Sequence, residues 1–115
     1  MRRLSRVRVL SESDKRLMLD LKTVIARFVP NATVILYGSA ARGKHGPESD
    51  YDVLILLDEP ASKQTLEQMR LAIYDLELER DALLSVMTLT QGEWTSPLSR
   101  VSPYHKNVER DGVLL

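Results

Sequence analysis

The stretch that decides the fold spans residues 34–57 and reads VILYGSAARGKHGPESDYDVLILL. The stretch begins within a β-branched and aromatic run, Thr33–Tyr37. This run predicts a short buried strand that ends before Gly38. A second apolar run, Tyr51–Leu57, predicts another strand. A polar connection rich in small and turn-forming residues joins the two. Because this is the one place where polar residues are concentrated between two apolar strands, we expect the chemistry between Gly38 and Asp52.

Two carboxylates stand at the start of the second strand. Asp50 and Asp52 are two residues apart, and side chains alternate faces along a strand, so both carboxylates are predicted to project to one side. Two such groups repel each other and raise each other's pKa unless a cation lies between them. Mg²⁺ suits such a pair because it combines few carboxylates with phosphate oxygens and water. The alternative is two exposed acids at a strand end without a metal.

The Gly38-Ser39 pair at the end of the first strand predicts a phosphate-binding turn. Glycine allows close approach of the backbone, serine adds a hydroxyl, and the two alanines that follow start a helical turn with free N–H groups. Arg42 and Lys44 would offset the charge of a triphosphate. A plain tight turn is the alternative for Gly-Ser alone. A phosphate cradle beside a metal-binding pair is the more specific combination.

The remaining segments predict an α/β fold with a small mixed sheet flanked by helices. Ser11 is a capping residue for a first helix, and Ser62 opens a second long one. Residues 83–90 predict a third strand, and Tyr104–Arg110 a short final helix. Leu71 and Leu78 lie off the apolar stripe of the long helix.

Length and composition indicate one domain over residues 1–115, with residues 1–10 a basic and flexible N-terminal arm. Sixteen basic residues balance sixteen acidic ones, which argues against general nucleic-acid binding. The absence of cysteine excludes disulfides, thiol catalysis and cysteine-ligated zinc. No apolar run approaches the roughly 18 residues of a membrane span. The expected location is cytoplasmic.

Gly38-Ser39, ten intervening residues that include Ala41-Arg42-Gly43, and then Asp50-x-Asp52 form a motif that resembles the signature of the nucleotidyltransferase superfamily with a DNA polymerase beta palm-like core. The closest similarity is to its minimal nucleotidyltransferase (MNT) branch. The resemblance covers nearly the whole chain and includes the Arg-Asp-Gly-Val-Leu sequence near its end. It implies that Gly38, Ser39 and Arg42 bind the nucleotide phosphates and that Asp50 and Asp52 are catalytic ligands of Mg²⁺. ATP is the implied substrate.

The sequence departs from the family pattern in the third strand. Active members carry a third carboxylate there, but Ser85 occupies the expected position. Glu79 and Asp81 precede it and are expected at the end of the helix. Loss of one acid would damage activation of the attacking hydroxyl more than nucleotide binding. The acid would then come from Asp81 or from a partner.

The resemblance to MNT proteins implies an Mg²⁺-dependent nucleotidyltransferase that moves a nucleoside monophosphate, AMP from ATP, onto a hydroxyl of a protein partner. The implied partner is a helical HEPN-type toxin, with this chain as its antitoxin in a homo- or hetero-oligomer. One alternative is a non-catalytic antitoxin or nucleotide-binding subunit that only binds its partner. An antibiotic-modifying transferase is a third. Docking is expected through Leu71 and Leu78 or through the apolar residues 113–115.

Three further residues have two interpretations each. His45 in the connection is either a catalytic or phosphate-contacting group or an exposed loop histidine. Trp94 and Tyr104 either stack on a base or pack in the core, and the core is favoured. His105 has no partner within the motif.

Overall fold

The structure, a computed structural model, describes residues 1–44, 46 and 50–115. His45 therefore lies outside the described residues. Strands and helices alternate up to Thr90, three short helices then follow one another, and an additional 3₁₀ turn lies at Leu4–Arg6. The elements are β1 (Arg2–Arg3), α1 (Glu12–Ala26), β2 (Thr33–Tyr37), α2 (Gly38–Ala41), β3 (Tyr51–Leu57), α3 (Lys63–Arg80), β4 (Leu84–Thr90), α4 (Gln91–Trp94), α5 (Pro97–Arg100), α6 (Pro103–Asp111) and β5 (Val113–Leu114).

The strands form one mixed sheet in the order β1-β5-β2-β3-β4. β2 and β3 are antiparallel, with Tyr37 opposite Asp52, whereas β3 and β4 are parallel, with Asp52 beside Ser85. The long helix α3 makes the crossover that the parallel pair requires. The predicted α/β class with a mixed sheet is confirmed.

Helices cover both faces of the sheet, so β3 is apolar on both sides. Val53, Ile55 and Leu57 face the main core, which includes buried side chains of α1 and α3. Leu54 and Leu56 face a smaller core with Trp94 and Val108. Since alternate residues share a face, Asp52 lies on the side of the smaller core, at the end of β3 where the apolar pattern begins.

The predicted helix starts agree with the structure. The hydroxyls of Ser11 and Ser62 accept hydrogen bonds from the backbone N–H groups three residues later, at 3.0 and 3.1 Å. The last helix spans Pro103–Asp111, close to the expected 104–110. The predicted third strand is confirmed with a start at Leu84, one residue late.

The two ends of the chain differ from expectation. Arg2–Arg3 pairs in parallel with Val113–Leu114, and the arm buries Leu4, Val7 and Leu10 in the main core. The prediction that residues 113–115 are free for docking is wrong. Val113 is fully buried and Leu115 is 9% exposed, because β5 fills the space beside β2. In the described part of the chain, no helix combines the length and apolar character needed to cross a membrane.

Candidate active site at the β2–β3 edge

Gly38 and Asp52 meet where β2 ends. Tyr37 and Asp52 are cross-strand partners, and the chain then turns into α2 through Gly38, whose φ is +76°. A Cβ at Gly38 would lie 2.4 Å from Oδ2 of Asp52, well inside van der Waals contact. Glycine is therefore required twice, for the left-handed backbone and for the approach of the carboxylate to the backbone. The sequence predicted a close approach to the backbone of Gly38, but it did not predict that the approaching group is the Asp52 carboxylate.

The two carboxylates influence each other electrostatically. Burial raises the pKa of Asp52, and the charge of Asp50 raises it further. Asp50 directly precedes β3 and is exposed. Among the described residues, neither carboxylate forms a salt bridge with a lysine or arginine. The pair thus carries negative charge without a counterion in the described part of the chain, and a divalent cation with phosphate oxygens as further ligands fits this donor set.

The cradle predicted at Gly38-Ser39 is a single helical turn. Its last two residues, Ala40 and Ala41, are fully buried. The N–H of Lys44 donates to the carbonyl oxygen of Ser39 at 2.9 Å and closes the turn. The Ser39 hydroxyl is half-buried and has no hydrogen-bond partner among the residues that the structure describes. It is therefore available to a ligand.

Arg42 has a partner that the sequence analysis missed. Its guanidinium donates to Oδ2 of Asp111 at 2.6 Å, and the side chain is 41% exposed. Arg2 reinforces this connection, because its Nη2 donates to the carbonyl oxygens of Ala41 at 3.3 Å and Asp111 at 2.9 Å. Hydrogen bonds from Arg110 and then Arg42 lower the pKa of the buried Asp111 carboxyl. The α2 turn is thus attached to the end of α6, and part of Arg42's charge is neutralised there. In the sequence, the one feature that marks this attachment is the Arg-Asp-Gly triplet before the last apolar residues.

The neighbouring strand β4 brings no acidic residue beside Asp52. Ser85 is the register partner of Asp52 on β4 and is exposed. Asp81 caps α3 in the left-handed region, with φ +51°, and Glu79 is exposed near the same helix end. Within the described residues, no three acidic, histidine or cysteine side chains form a group able to hold a metal ion.

The aromatic residues near the site form a packed group. Trp94 is 8% exposed and lies in the smaller core, which confirms the prediction of core packing. It stacks on His105, with ring centroids 3.8 Å apart. His105 is buried and has partners that the sequence did not reveal: Ser99 at 3.2 Å from Nδ1 and Glu109 at 2.7 Å from Nε2.

Tyr104 is half-buried and lies on the Asp52 side of the sheet. Its hydroxyl donates to the Tyr37 hydroxyl at 3.0 Å. Burial is the main cause of the raised pKa of Tyr104, and the charge of Asp52 also contributes. Both tyrosine hydroxyls are therefore protonated over the physiological pH range.

Comparison with known proteins assigns the fold. No curated protein matches the chain. A family model described as a nucleotidyltransferase domain matches residues 19–111, which include the β2–β3 edge and extend to Asp111. The mixed sheet and its helices are compatible with that fold. With most of its length matched and its glycine and acidic pair brought together at one edge, the chain belongs to the nucleotidyltransferase domain family of the polymerase beta-like superfamily.

Proposed function

We propose that the protein transfers a nucleoside monophosphate, AMP from ATP, to a hydroxyl group in an Mg²⁺-dependent reaction. The contact between the Asp52 carboxylate and the backbone of Gly38 is the observation that carries the proposal. This approach puts an acidic side chain beside the turn that we propose as the phosphate-binding site. Membership of the nucleotidyltransferase family supports the reaction class.

Asp50 and Asp52 would hold the metal ion. When bound, Mg²⁺ supplies charge neutralisation and orientation of the phosphate oxygens. The chain itself contributes the surface against which the nucleotide is oriented: the Gly38 backbone, which lacks a Cβ, and the Ser39 hydroxyl, which has no partner among the described residues. The burial that raises the pKa of Asp52 also strengthens its attraction for a cation.

The reaction balances as a substitution at the α-phosphorus. The acceptor oxygen forms a bond to that phosphorus, the bond to the oxygen bridging the α- and β-phosphates breaks, and pyrophosphate leaves. The acceptor's proton passes to a base. Ser85, beside Asp52, is not a base of suitable pKa. The proton acceptor in the proposal is therefore Asp81 or an acid supplied by the partner.

The acceptor is proposed to be a hydroxyl on a helical HEPN-type toxin, with this chain as its MNT antitoxin. All described helices and strands belong to one sheet and its covering layers. One exposed apolar surface lies on α3, where Leu71 and Leu78 are 65% and 64% exposed. A groove of about 670 Å³ separates this side of α3 from β4. We propose that the partner's helices pack against it.

The second candidate is a non-catalytic antitoxin or nucleotide-binding subunit. Ser85 at the register position of Asp52 favours it, because the described residues then give the site two carboxylates where three are expected for two-metal catalysis. Both candidates predict binding of Mg²⁺ and ATP. They differ in turnover.

The test of transfer is an incubation with ATP, Mg²⁺ and the product of any neighbouring gene for a helical protein, followed by intact mass measurement of both proteins. Transfer predicts a mass increase of one nucleoside monophosphate on the partner, and Asp50→Asn with Asp52→Asn abolishes it. Unmodified chains together with Mg²⁺-dependent ATP binding would favour the non-catalytic candidate. Modification of a free small molecule by the isolated chain would favour an antibiotic-modifying enzyme.

The test of docking is co-purification of the partner with surface variants of α3. Leu71→Glu is expected to weaken co-purification and leave ATP binding intact, because it places a charge in the exposed apolar surface. Gln68→Glu is the matched control, since it adds the same charge at an exposed polar position of the same helix. Equal co-purification of both variants would exclude this surface.

A further inference from the structure

Tyr37 is the residue of β2 nearest to the acidic pair. It is the last residue of the strand and the register partner of Asp52, so the two side chains lie on the same face of the sheet. Its half-buried ring meets that of Tyr104 edge to face, with centroids 5.4 Å apart and planes at 88°. The ring is therefore held in place between β2 and α6.

The hydrogen bond between the two tyrosines has a definite direction. The Tyr104 hydroxyl donates to the oxygen of Tyr37 at 3.0 Å, so the proton of Tyr37 points elsewhere. Among the residues that the structure describes, no acceptor takes it. Burial is the main cause of the raised pKa of Tyr37, with Tyr104 lowering it and the charge of Asp52 raising it. Within the described residues, the Tyr37 hydroxyl is thus a neutral donor whose proton has no acceptor, and it lies close enough to Asp52 for the charge of that carboxylate to act on it.

We propose that Tyr37 donates this proton to a phosphate oxygen of the bound nucleoside triphosphate, and that Tyr104 is a positioning residue that fixes the Tyr37 hydroxyl. The inference rests on the proposed function, because it assigns a further binding residue to the same site. Tyr37 directly precedes Gly38 and Ser39 and is paired with Asp52 in the sheet, so its side chain lies on the face where the phosphate site is proposed. An anionic oxygen is also the acceptor for which such a donor gives the strongest hydrogen bond.

The test compares Tyr37→Phe, Tyr104→Phe and the double variant by calorimetric titration with Mg-ATP and with Mg-tripolyphosphate, which lacks the sugar and base. Loss of a hydrogen bond to a charged group predicts about ten- to a hundredfold weaker binding of both ligands by Tyr37→Phe. Tyr104→Phe is expected to weaken binding by about two- to fivefold, the smaller range of a neutral hydrogen bond. In the Tyr37→Phe background it should have no further effect, because it acts through Tyr37.

Tyr74→Phe is the matched control, since this tyrosine is 54% exposed on α3. It should bind both ligands like the wild type. Circular dichroism melting of each variant checks that the fold is retained. If Tyr104 had a merely structural role, the losses of binding free energy of the two single variants would add in the double variant. Additive losses therefore overturn the positioning role.

The remaining outcomes also decide the inference. Weaker binding of Mg-ATP alone by Tyr37→Phe overturns the phosphate assignment in favour of the sugar. Unchanged binding of both ligands, when the wild type binds them, overturns the inference and leaves the proposed function standing. A wild-type protein that binds neither ligand overturns both.

Discussion

Substitution of Gly38 by alanine tests the geometry of the site most sharply. The backbone there has φ +76°, and the new Cβ would lie 2.4 Å from Oδ2 of Asp52. Two penalties follow from these values. A left-handed conformation costs a residue with a Cβ about 1–2 kcal/mol, and overpacking costs about 1–3 kcal/mol.

The expected net effect is a loss of about 2–4 kcal/mol in the free energy of unfolding. The sum of the penalties is reduced by about 0.4–1 kcal/mol, because alanine restricts the unfolded chain more than glycine does. A domain of this size has a total stability of about 6–17 kcal/mol, so the variant still folds. Its melting temperature should fall by roughly 10 °C.

The assay is thermal melting with and without Mg²⁺ and ATP. In Gly38→Ala the Asp52 carboxylate must move to admit the Cβ, so the joint stabilisation by Mg²⁺ and ATP should disappear as well. Gly43→Ala is the matched control for strain, because Gly43 has φ +73° and its Cβ would lie 2.7 Å from Cβ of Val9. It should lose similar stability and keep the ligand response. Gly92→Ala, whose Cβ would lie 3.8 Å from Thr90 Oγ1, should be close to neutral.

Full ligand response in Gly38→Ala would refute the reasoning. It would mean that the position of the Asp52 carboxylate against the turn has no part in binding. A loss of ligand response in Gly43→Ala equal to that in Gly38→Ala would refute it in another way. The response would then report general strain rather than the acidic site.

The other predictions concern the acidic groups. Asp50→Asn with Asp52→Asn should abolish the joint effect of Mg²⁺ and ATP on melting. The raised pKa of Asp52 makes the protein less stable as pH rises from the ordinary aspartate value to the raised one. Without metal near neutral pH, this double variant should therefore have a higher melting temperature than the wild type. A lower melting temperature would contradict this. Ser85→Asp should increase the transfer rate, measured by steady-state kinetics, and leave the affinity for ATP unchanged, measured by titration. An unchanged rate would exclude position 85 as the place of the third carboxylate. Asp111→Asn should lose about 1.5–3 kcal/mol at pH 7 by weakening the bond from Arg42. Since the lowered pKa of Asp111 stabilises the fold above the ordinary aspartate value, the difference from the wild type should vanish in melts as pH falls through the lowered pKa.

Much of the fold was predictable because its local signals agree with its packing. The strands Thr33–Tyr37 and Tyr51–Leu57 have the predicted bounds, since a short apolar run between turn-forming residues has few other solutions. The serine caps of α1 and α3 are local hydrogen bonds that depend on sequence spacing alone. The α/β class followed from the order of these elements.

The pairing of the chain ends was not predictable in the same way. Arg2–Arg3 and Val113–Leu114 are strands of two residues each, too short for a periodic pattern. They form because distant parts of the chain meet, which no local window contains. The same holds for the bond from Arg42 to Asp111, which joins residues 69 positions apart.

The candidate site was predictable in its residues but not in its contacts. The spacing placed Asp50 and Asp52 on one face, whereas the approach of Asp52 to Gly38 depends on the antiparallel pairing of β2 and β3. The sequence left that pairing open, because a connection of this length suits either direction. Tyr37 gave no signal, since its position in an apolar strand is typical of core residues.

The central claim is nucleotidyl transfer at the Asp50 and Asp52 edge, and the position of a label in ATP tests it most directly. The protein, the proposed helical partner and Mg²⁺ are incubated with ATP labelled in either the α- or the γ-phosphate, and protein-bound label and released pyrophosphate are measured. The proposal predicts covalent label from the α-phosphate alone, one pyrophosphate per label, and neither with Asp50→Asn and Asp52→Asn. Covalent label from the γ-phosphate, or α-label that persists in the double variant, would contradict it.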